Sequence, residues 1–257
     1  MLFAGIDVGA QSVKIAVLSD SKLVLSSTTL TDEAGGVAAR QALDKALIAL
    51  GLPVNSLTAV VSTGIGKDGV AFATGKRTEE ICHSRGAHWL FPSARTVLDV
   101  GAGGYRAMRL DNRGKLIDFA VNSKCAAGTG SFLDAVTRVL DTRLEEIGTM
   151  AVSAKKTASV SSYCAVFAES EIISNIHRGV AKESILAGVC HSVAERLADV
   201  LHRVKLAEDV VVTGGVAQNI GVVGALEEIM GLEAKVPHEP QIVGALGAAL
   251  IGEEMSR

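Results

Sequence analysis

The chain has little of what several protein classes need. Its 25 lysines and arginines face 28 aspartates and glutamates, a net charge of −3. That leaves no cationic surplus of the kind that holds a polyphosphate backbone, which sets nucleic acid aside as a partner. No apolar run reaches the roughly 18 residues that a membrane-spanning helix needs, so no membrane association is expected. The opening residues, MLFAGIDVGAQSVKIAVL, have no basic start and hold Asp7 and Lys14 inside the apolar stretch. They do not read as a secretory signal, and a cytoplasmic location is expected. Cysteine is scarce, at Cys82, Cys125, Cys164 and Cys190. In a reducing compartment these are free thiols that serve as ligands, catalytic groups or core fillers rather than disulfides. The P-loop pattern G-x-x-x-x-G-K-[ST] is missing, and no G-x-G-x-x-G stands in a dinucleotide-binding setting. Proline is rare, with four in 257 residues.

Glycine, by contrast, is plentiful at 27. Many glycines with few prolines suit turns whose backbone comes close to a ligand. A hydrophobic share of 48% with 21% charged residues is a globular composition, and the length suits two domains of roughly 100–150 residues.

Residues 2–20 read as strand, tight turn and strand, and 22–30 as a third strand. A helix is expected over 35–52, a buried strand over 57–64 running into the glycine turn TGIGKDG, and a helix over 77–91 before Pro92. A second cycle begins near Val97. RTVLDVGAGGYRAMRLDNRGKLIDFAVN repeats strand, Asp-x-Gly turn, strand, turn, strand, with DNRG as hairpin chemistry. Helices are expected at about 130–150, 165–178 and 182–205. DVVVTGGVAQN is one more buried strand ending in a glycine turn, and a small-residue helix closes the chain over 242–255.

Asp7-x-Gly9 and Asp99-x-Gly101 lie 92 residues apart in matching settings. Glycine lets backbone N–H groups face an anion with no Cβ in the way. A carboxylate at a strand end can hold Mg²⁺, usually through water, against a polyphosphate. Ser12 and Lys14 add a hydroxyl and a cation. One Asp-x-Gly is most often an ordinary turn. Two at domain spacing, with Thr213-Gly214-Gly215 after a further buried strand, suggest a nucleotide held in a cleft between two related domains.

The motifs GIDVGAQSVK, STGIGKD, LDVGAGGYR and VVTGGVAQN, in this order, resemble the actin–hexokinase–Hsp70 superfamily of ATPases. KCAAGTGSFLD, CAVFAESEIIS and GALGAAL narrow the resemblance to the BadF/BadG/BcrA/BcrD type. These are the ATPases that activate 2-hydroxyacyl-CoA dehydratases and the ATPase subunits of benzoyl-CoA reductase. The match covers nearly the whole chain. It implies an α/β fold of two actin-like (ribonuclease H-like) domains, each a mixed five-stranded sheet flanked by helices. The first domain would span 1–92 and the second 93–241, with the helix 242–255 packing back on the first.

The resemblance implies ATP-dependent electron transfer. Asp7 and Asp99 would hold Mg²⁺ and orient water. Gly9, Ala10, Gln11, Ser12 and Lys14 would bind phosphate, and Gly101, Ala102 and Gly103 would do so from the other wall. Gly214, Gly215 and Asn219 would hold the adenosine of ATP or ADP. Cys125 and Cys164 would bind one 4Fe–4S cluster shared between two subunits. Two thiolates do not complete such a cluster, which usually takes four, but a twofold dimer supplies them. Both cysteines precede expected helices, whose free N–H groups and dipoles suit an anionic cluster. Gly128, Thr129 and Gly130 would serve nucleotide phosphates on the loop's other side. The implied partners are a second ATPase chain, reduced ferredoxin or flavodoxin as donor, and an iron–sulfur dehydratase or reductase component acting on a CoA thioester.

The pattern also departs from the family. In dehydratase activators the second phosphate turn reads like D-I-G-G-Q-D, whereas DVGAGGYR lacks the glutamine and the following acid. That likens the chain to the divergent subunit of the benzoyl-CoA reductase ATPase heterodimer. It leaves open a heterodimer, or a subunit that holds half a cluster while its partner hydrolyses ATP. A small-metabolite kinase on the same fold is a further alternative, but one with no use for the paired cysteines. Cys82-His83 and Cys190-His191 are adjacent pairs that would point about 100° apart on a helix, so helix packing is the expected role. Glu169 or Glu171 would tie the cluster helix to its neighbour or favour its dipole. Arg85, Arg95, Arg106, Arg109 and Arg113 read as solvated surface.

Overall fold

The computed structural model describes residues 1–31, 35–122, 125–161 and 164–256. Ser123, Lys124, Ser162 and Tyr163 of the two cysteine motifs lie outside the described residues. The first elements are β1 (Leu2–Val8), β2 (Ser12–Ser19), β3 (Lys22–Leu30), α1 (Gly35–Ala49), β4 (Leu57–Thr63), β5 (Gly75–Lys76) and α2 (Glu79–Leu90). Next come β6 (Thr96–Val100), β7 (Tyr105–Leu110), β8 (Leu116–Asn122), α3 (Gly130–Leu140), α4 (Glu146–Val152), α5 (Ala165–His177) and α6 (Lys182–Arg203). The chain ends with β9 (Val210–Thr213), α7 (Ile220–Met230), β10 (Ala234–Lys235) and α8 (Val243–Met255). Among the described residues no helix is long and apolar enough to cross a membrane.

Two compact units result. One comprises Met1–Val97, Leu110–Ile117 and Pro237–Arg257, the other Leu98–Arg109 and Asp118–Val236. In the first, the sheet order is β3-β2-β1-β4-β5, with β1 antiparallel to β2 and parallel to β4. Strand periodicity of two sorts its side chains onto two faces. Ala4, Ile6 and Val8 of β1, with Val13, Ile15 and Val17 of β2, pack on Ala39, Leu43 and Leu47 of α1. Phe3, Ala16 and Leu18 point the other way, onto Ala245, Leu246 and Ala249 of α8. A Cβ at Gly5 would overlap the Ala245 carbonyl oxygen, so glycine lets β1 and α8 touch backbone to backbone. The small residues of α8 thereby explain themselves as packing.

The second unit repeats the plan with order β10-β9-β6-β7-β8. Its core centres on α6, where Ile185, Leu186, Val189, Val193, Leu197, Val200 and Leu201 are all buried. Both sheets are mixed and flanked by helices, which is the actin-like architecture expected. The expected helix 130–150 is two helices. Asp141 takes a left-handed φ of +46° and ends α3 before α4 begins. The helix α7 was not expected from the sequence. Its two internal glycines weaken the helical signal, and the Asn219 side chain starts it by accepting from the N–H groups of Gly221 and Val222.

Candidate functional site

The ladder register builds a polar strand end in the first unit. Asp7 sits opposite Lys14 across the β1/β2 pair and opposite Thr63 across the β1/β4 pair. Directly opposed residues on one face have Cβ atoms about 5 Å apart, within reach of an ion pair. Lys14 Nζ lies 3.7 Å from Asp7 Oδ2, and both side chains are largely buried. The turn between the strands is closed by the Gly9 N–H donating to the Ser12 carbonyl at 3.0 Å. Ala10 and Gln11 are exposed at its tip, and the Gln11 carbonyl accepts from the Thr31 N–H. A Cβ at Gly9 would lie 2.7 Å from Lys14 Nζ, so the ammonium hangs over this turn.

The same constellation recurs 92 residues later. Arg106 Nε lies 3.2 Å from Asp99 Oδ2, an ionic contact between side chains only 8% and 6% exposed. Thr213 Oγ1 donates toward Asp99 Oδ1 at 3.4 Å. The Gly101 N–H donates to the Gly104 carbonyl at 2.9 Å, the counterpart of the Gly9–Ser12 closure. Gly103 stands exposed at this tip, in the place of Gln11. The reading of Arg106 as surface is corrected: it is buried at 7% because an internal carboxylate needs a cation. Its spacing of seven from Asp99 copies that of Lys14 from Asp7, which is the sequence signal that marks it.

Each carboxylate is also cradled by a left-handed glycine. Gly64 has φ +88° and Gly214 φ +86°. A Cβ there would lie 2.5 Å from Asp7 Oδ1 or 2.7 Å from Asp99 Oδ1, and would overlap the Val8 or Val100 carbonyl oxygen. Thr63-Gly64 thus parallels Thr213-Gly214, a correspondence the motif TGIGKDG alone left unassigned. The imidazole Nε2 of buried His83 and Asp7 Oδ2 both face the Cα of Gly244 on α8. Gly215 opens a short helical turn, exposed. Asn219 spends its oxygen on the α7 cap, while its Nδ2 is buried without a partner among the described residues.

The two cysteines are placed differently. Cys164 is the residue before α5, and the backbone N–H groups of Phe167 and Val166 hold its thiol below the ordinary range. Arg196 lowers it further, against the opposing effect of desolvation. That is the helix-start environment expected. Cys125 does not stand at a helix start. The residue before α3 is Thr129, whose hydroxyl donates to the Ala126 carbonyl at 2.6 Å. Cys125 lies in the loop ahead of it, so the dipole argument holds for Cys164 alone. The cysteine loop is stitched to the second turn: Gly130 N–H donates to the Gly101 carbonyl at 3.0 Å, and Ser131 N–H to the Ala102 carbonyl at 3.2 Å. Gly128 is buried with φ +88°. Glu171 ties α5 to the preceding segment by accepting from the Ser161 N–H. Cys82 and Cys190 are core thiols, pushed up to about 12 chiefly by burial.

A protein-family model described as the BadF/BadG/BcrA/BcrD ATPase family matches residues 4–252. The chain belongs to this ATPase family. It is 41% identical to the activator of lactoyl-CoA dehydratase from Anaerotignum propionicum, over 100% of this chain and 99% of that one. It is 36% identical to one of the subunits of benzoyl-CoA reductase from Thauera aromatica, covering 97% and 92%. It also superposes on a solved structure of the activator of the 2-hydroxyisocaproyl-CoA dehydratase from Clostridium difficile with bound ADPNP. The TM-score is 0.95 at 36% identity, over 100% of this chain and 96% of that one. As in any ATPase of this family, the chemistry to be explained is hydrolysis of a phosphoanhydride.

The donor set suits the cofactors this family suggests. Each buried Asp has its Oδ1 against a glycine so close that a Cβ there would collide with it, so only bare backbone can approach the carboxylate, and a strand-end carboxylate can hold Mg²⁺ through water. The Cys164 thiol is held below its ordinary range by backbone N–H groups, and both Cys125 and Cys164 are half-buried.

Proposed function

We propose that this chain hydrolyses ATP to drive one low-potential electron from a 4Fe–4S cluster, held by Cys125 and Cys164, into an iron–sulfur enzyme acting on a CoA thioester. The observation that carries the reading is the stitching of the cysteine loop to a phosphate turn by two backbone hydrogen bonds. A nucleotide-sensing turn and a metal-binding loop share one strip of backbone. The resemblance to dehydratase activators and to a benzoyl-CoA reductase component supports it.

The residues divide the work. Turns 9–12 and 101–104 bind phosphate oxygens, with the Gly9 and Gly101 N–H groups kept for closing the turns themselves, and Lys14 adds positive charge over the first turn. Gln11 and Ser12 supply side-chain contacts at that turn. Asp7 and Asp99 hold Mg²⁺ through water and orient the attacking water. Water adds to the γ-phosphorus, its bond to the bridging oxygen breaks, and ADP and phosphate leave. Gly214, Gly215 and Asn219 take the adenosine. Gly128, Thr129 and Gly130 serve phosphate from the cysteine loop. When bound, the cluster supplies a one-electron centre, refilled by reduced ferredoxin or flavodoxin. Val166, Phe167, Ile173 and Ile176 leave an apolar face exposed on α5 beside Cys164. A second ATPase chain, identical or related, fits that face and completes the thiolate set. The address is the cytoplasm.

A second reading rests on the second turn. Gly103 and Gly104 offer no side chain where Gln11 and Ser12 stand in the first, so nothing at that tip positions water. A related ATPase chain would then hydrolyse ATP for a heterodimer. The test is anaerobic purification of the chain alone, with iron, sulfide, native mass and ATPase rate. About four irons per two chains, lost in Cys125→Ser and Cys164→Ser, support the cluster dimer. A folded, iron-free monomer that stays so beside related ATPase chains refutes it. Cluster content without ATP turnover selects the heterodimer.

A further inference from the structure

Tyr105 is one of the two tyrosines in the chain, and it is buried at 3%. It opens β7 directly after the second phosphate turn. Its hydroxyl accepts a hydrogen bond from Asn122 Nδ2, at the end of β8 and three residues before Cys125. Its ring edge lies against the backbone of the cysteine loop. A Cβ at Gly128 would stand 2.9 Å from Tyr105 Cε1 and 3.0 Å from Arg196 Cβ. Only a bare Cα fits between the aromatic ring and α6. The corresponding position in the first unit, 92 residues earlier, is Val13, which serves its core alone. The fold of the turn therefore does not call for a tyrosine.

We propose that Tyr105 is the positioning residue that couples the second phosphate turn to the cysteine loop. This rests on the reading that turn 101–104 takes nucleotide phosphate. The ring is rigid, with one end fixed to the turn by the chain itself. Its edge meets Gly128 and its hydroxyl holds Asn122, so the loop that carries Cys125 is gripped at both sides. When the turn backbone closes on phosphate, the ring moves with it and carries Asn122 and Gly128 along. The two backbone hydrogen bonds at Gly130 and Ser131 act beyond Cys125, while Tyr105 acts on the segment that contains it.

Amide hydrogen exchange on the full anaerobic chain, with and without Mg²⁺ and a non-hydrolysable ATP analogue, tests this. In the wild type, nucleotide slows exchange at 101–104 and at 125–131 together. Tyr105→Leu keeps the effect at 101–104 and loses most of the effect at 125–131. Tyr105→Phe keeps the ring, folds as the wild type does, and weakens the response of the loop by about fivefold, the worth of one net hydrogen bond. A purely structural role would raise exchange equally in both nucleotide states and leave the difference unchanged. Full response at 125–131 in Tyr105→Phe and, where it folds, in Tyr105→Leu overturns the proposal. So does a wild type whose turn responds while its loop stays silent. If calorimetry finds no nucleotide binding and 101–104 is silent as well, the functional reading itself has failed, and the result is distinguishable from failure of the strut.

Discussion

Replacing Arg106 by methionine isolates the internal charge of the second unit. The guanidinium Nε is 3.2 Å from Asp99 Oδ2, with both side chains under 10% exposed. At an effective dielectric of about 20 their attraction is about 5 kcal/mol, set against the desolvation of both ions. Methionine keeps the length and apolar stem of the side chain, so little volume is lost. What remains is a carboxylate with its cation removed in a buried strand end. Breaking one partner of such a pair costs about 3–5 kcal/mol. In a domain of this size that lowers Tm by about 6–20 °C. Lys14→Met is the internal comparison. Its ion pair is longer, at 3.7 Å, and its side chain is 15% exposed, so the loss is smaller, at about 2 kcal/mol. Asp99→Asn combined with Arg106→Met should recover most of the Arg106 loss, because the uncompensated charge is gone. Calorimetric unfolding of the cluster-free chain measures all four proteins. Arg106→Met within about 0.5 kcal/mol of wild type, or less damaging than Lys14→Met, refutes the argument.

Gly64→Ala and Gly214→Ala place a Cβ at positive φ and against a carbonyl oxygen, and each is expected to cost about 3 kcal/mol or more and to abolish nucleotide binding by calorimetry. Gly224→Ala in α7, with nothing within 4 Å of the added methyl, should instead stabilise by about 0.5–1 kcal/mol. The thiols separate by pH. A lowered pKa fills the thiolate from lower pH upward, so in the metal-free chain iodoacetamide labels Cys164 at lower pH than an ordinary cysteine, as mass spectrometry would show. Cys82 and Cys190, pushed up to about 12, stay unlabelled until the chain unfolds. Equal labelling of all four cysteines at neutral pH would overturn the assignment of Cys164 as the activated thiol.

The two halves of the molecule belong to one design with unequal execution. Each has an aspartate at the end of its first strand, a cation seven residues on, and a Thr-Gly turn with left-handed glycine on a neighbouring strand. The first half keeps polar side chains at its turn tip, in Gln11 and Ser12. The second replaces them with Gly103 and Gly104 and attaches its turn to the cysteine loop instead. Two turns of one plan thus differ where chemistry and coupling would differ.

Much of this was legible in the residue order. The Asp-x-Gly turns, the strands before them and the small-residue helix α8 are local features, because period-two burial and glycine turns act within a few residues. The two cysteine motifs marked their loops, and the resemblance they carried led to the family. The partners of Asp7 and Asp99 could not be read so directly. Arg106 looks like any surface arginine until the hairpin places it opposite a carboxylate that has nowhere to go. Cys125 and Cys164 carry similar flanking residues, yet only Cys164 reaches a helix start, because Thr129 takes that position in the other loop. Tyr105 touches Gly128 across 23 residues of chain, and Gly214 cradles Asp99 across 115. Such contacts are set by strand order and by which side chains share a crowded face. Local residue order was enough to set most of the elements, the Asp-x-Gly turns and the thiol-bearing loops, though not α7 or the break at Asp141. Strand pairing and packing chose which charge neutralises which, and what the thiol loops are fastened to.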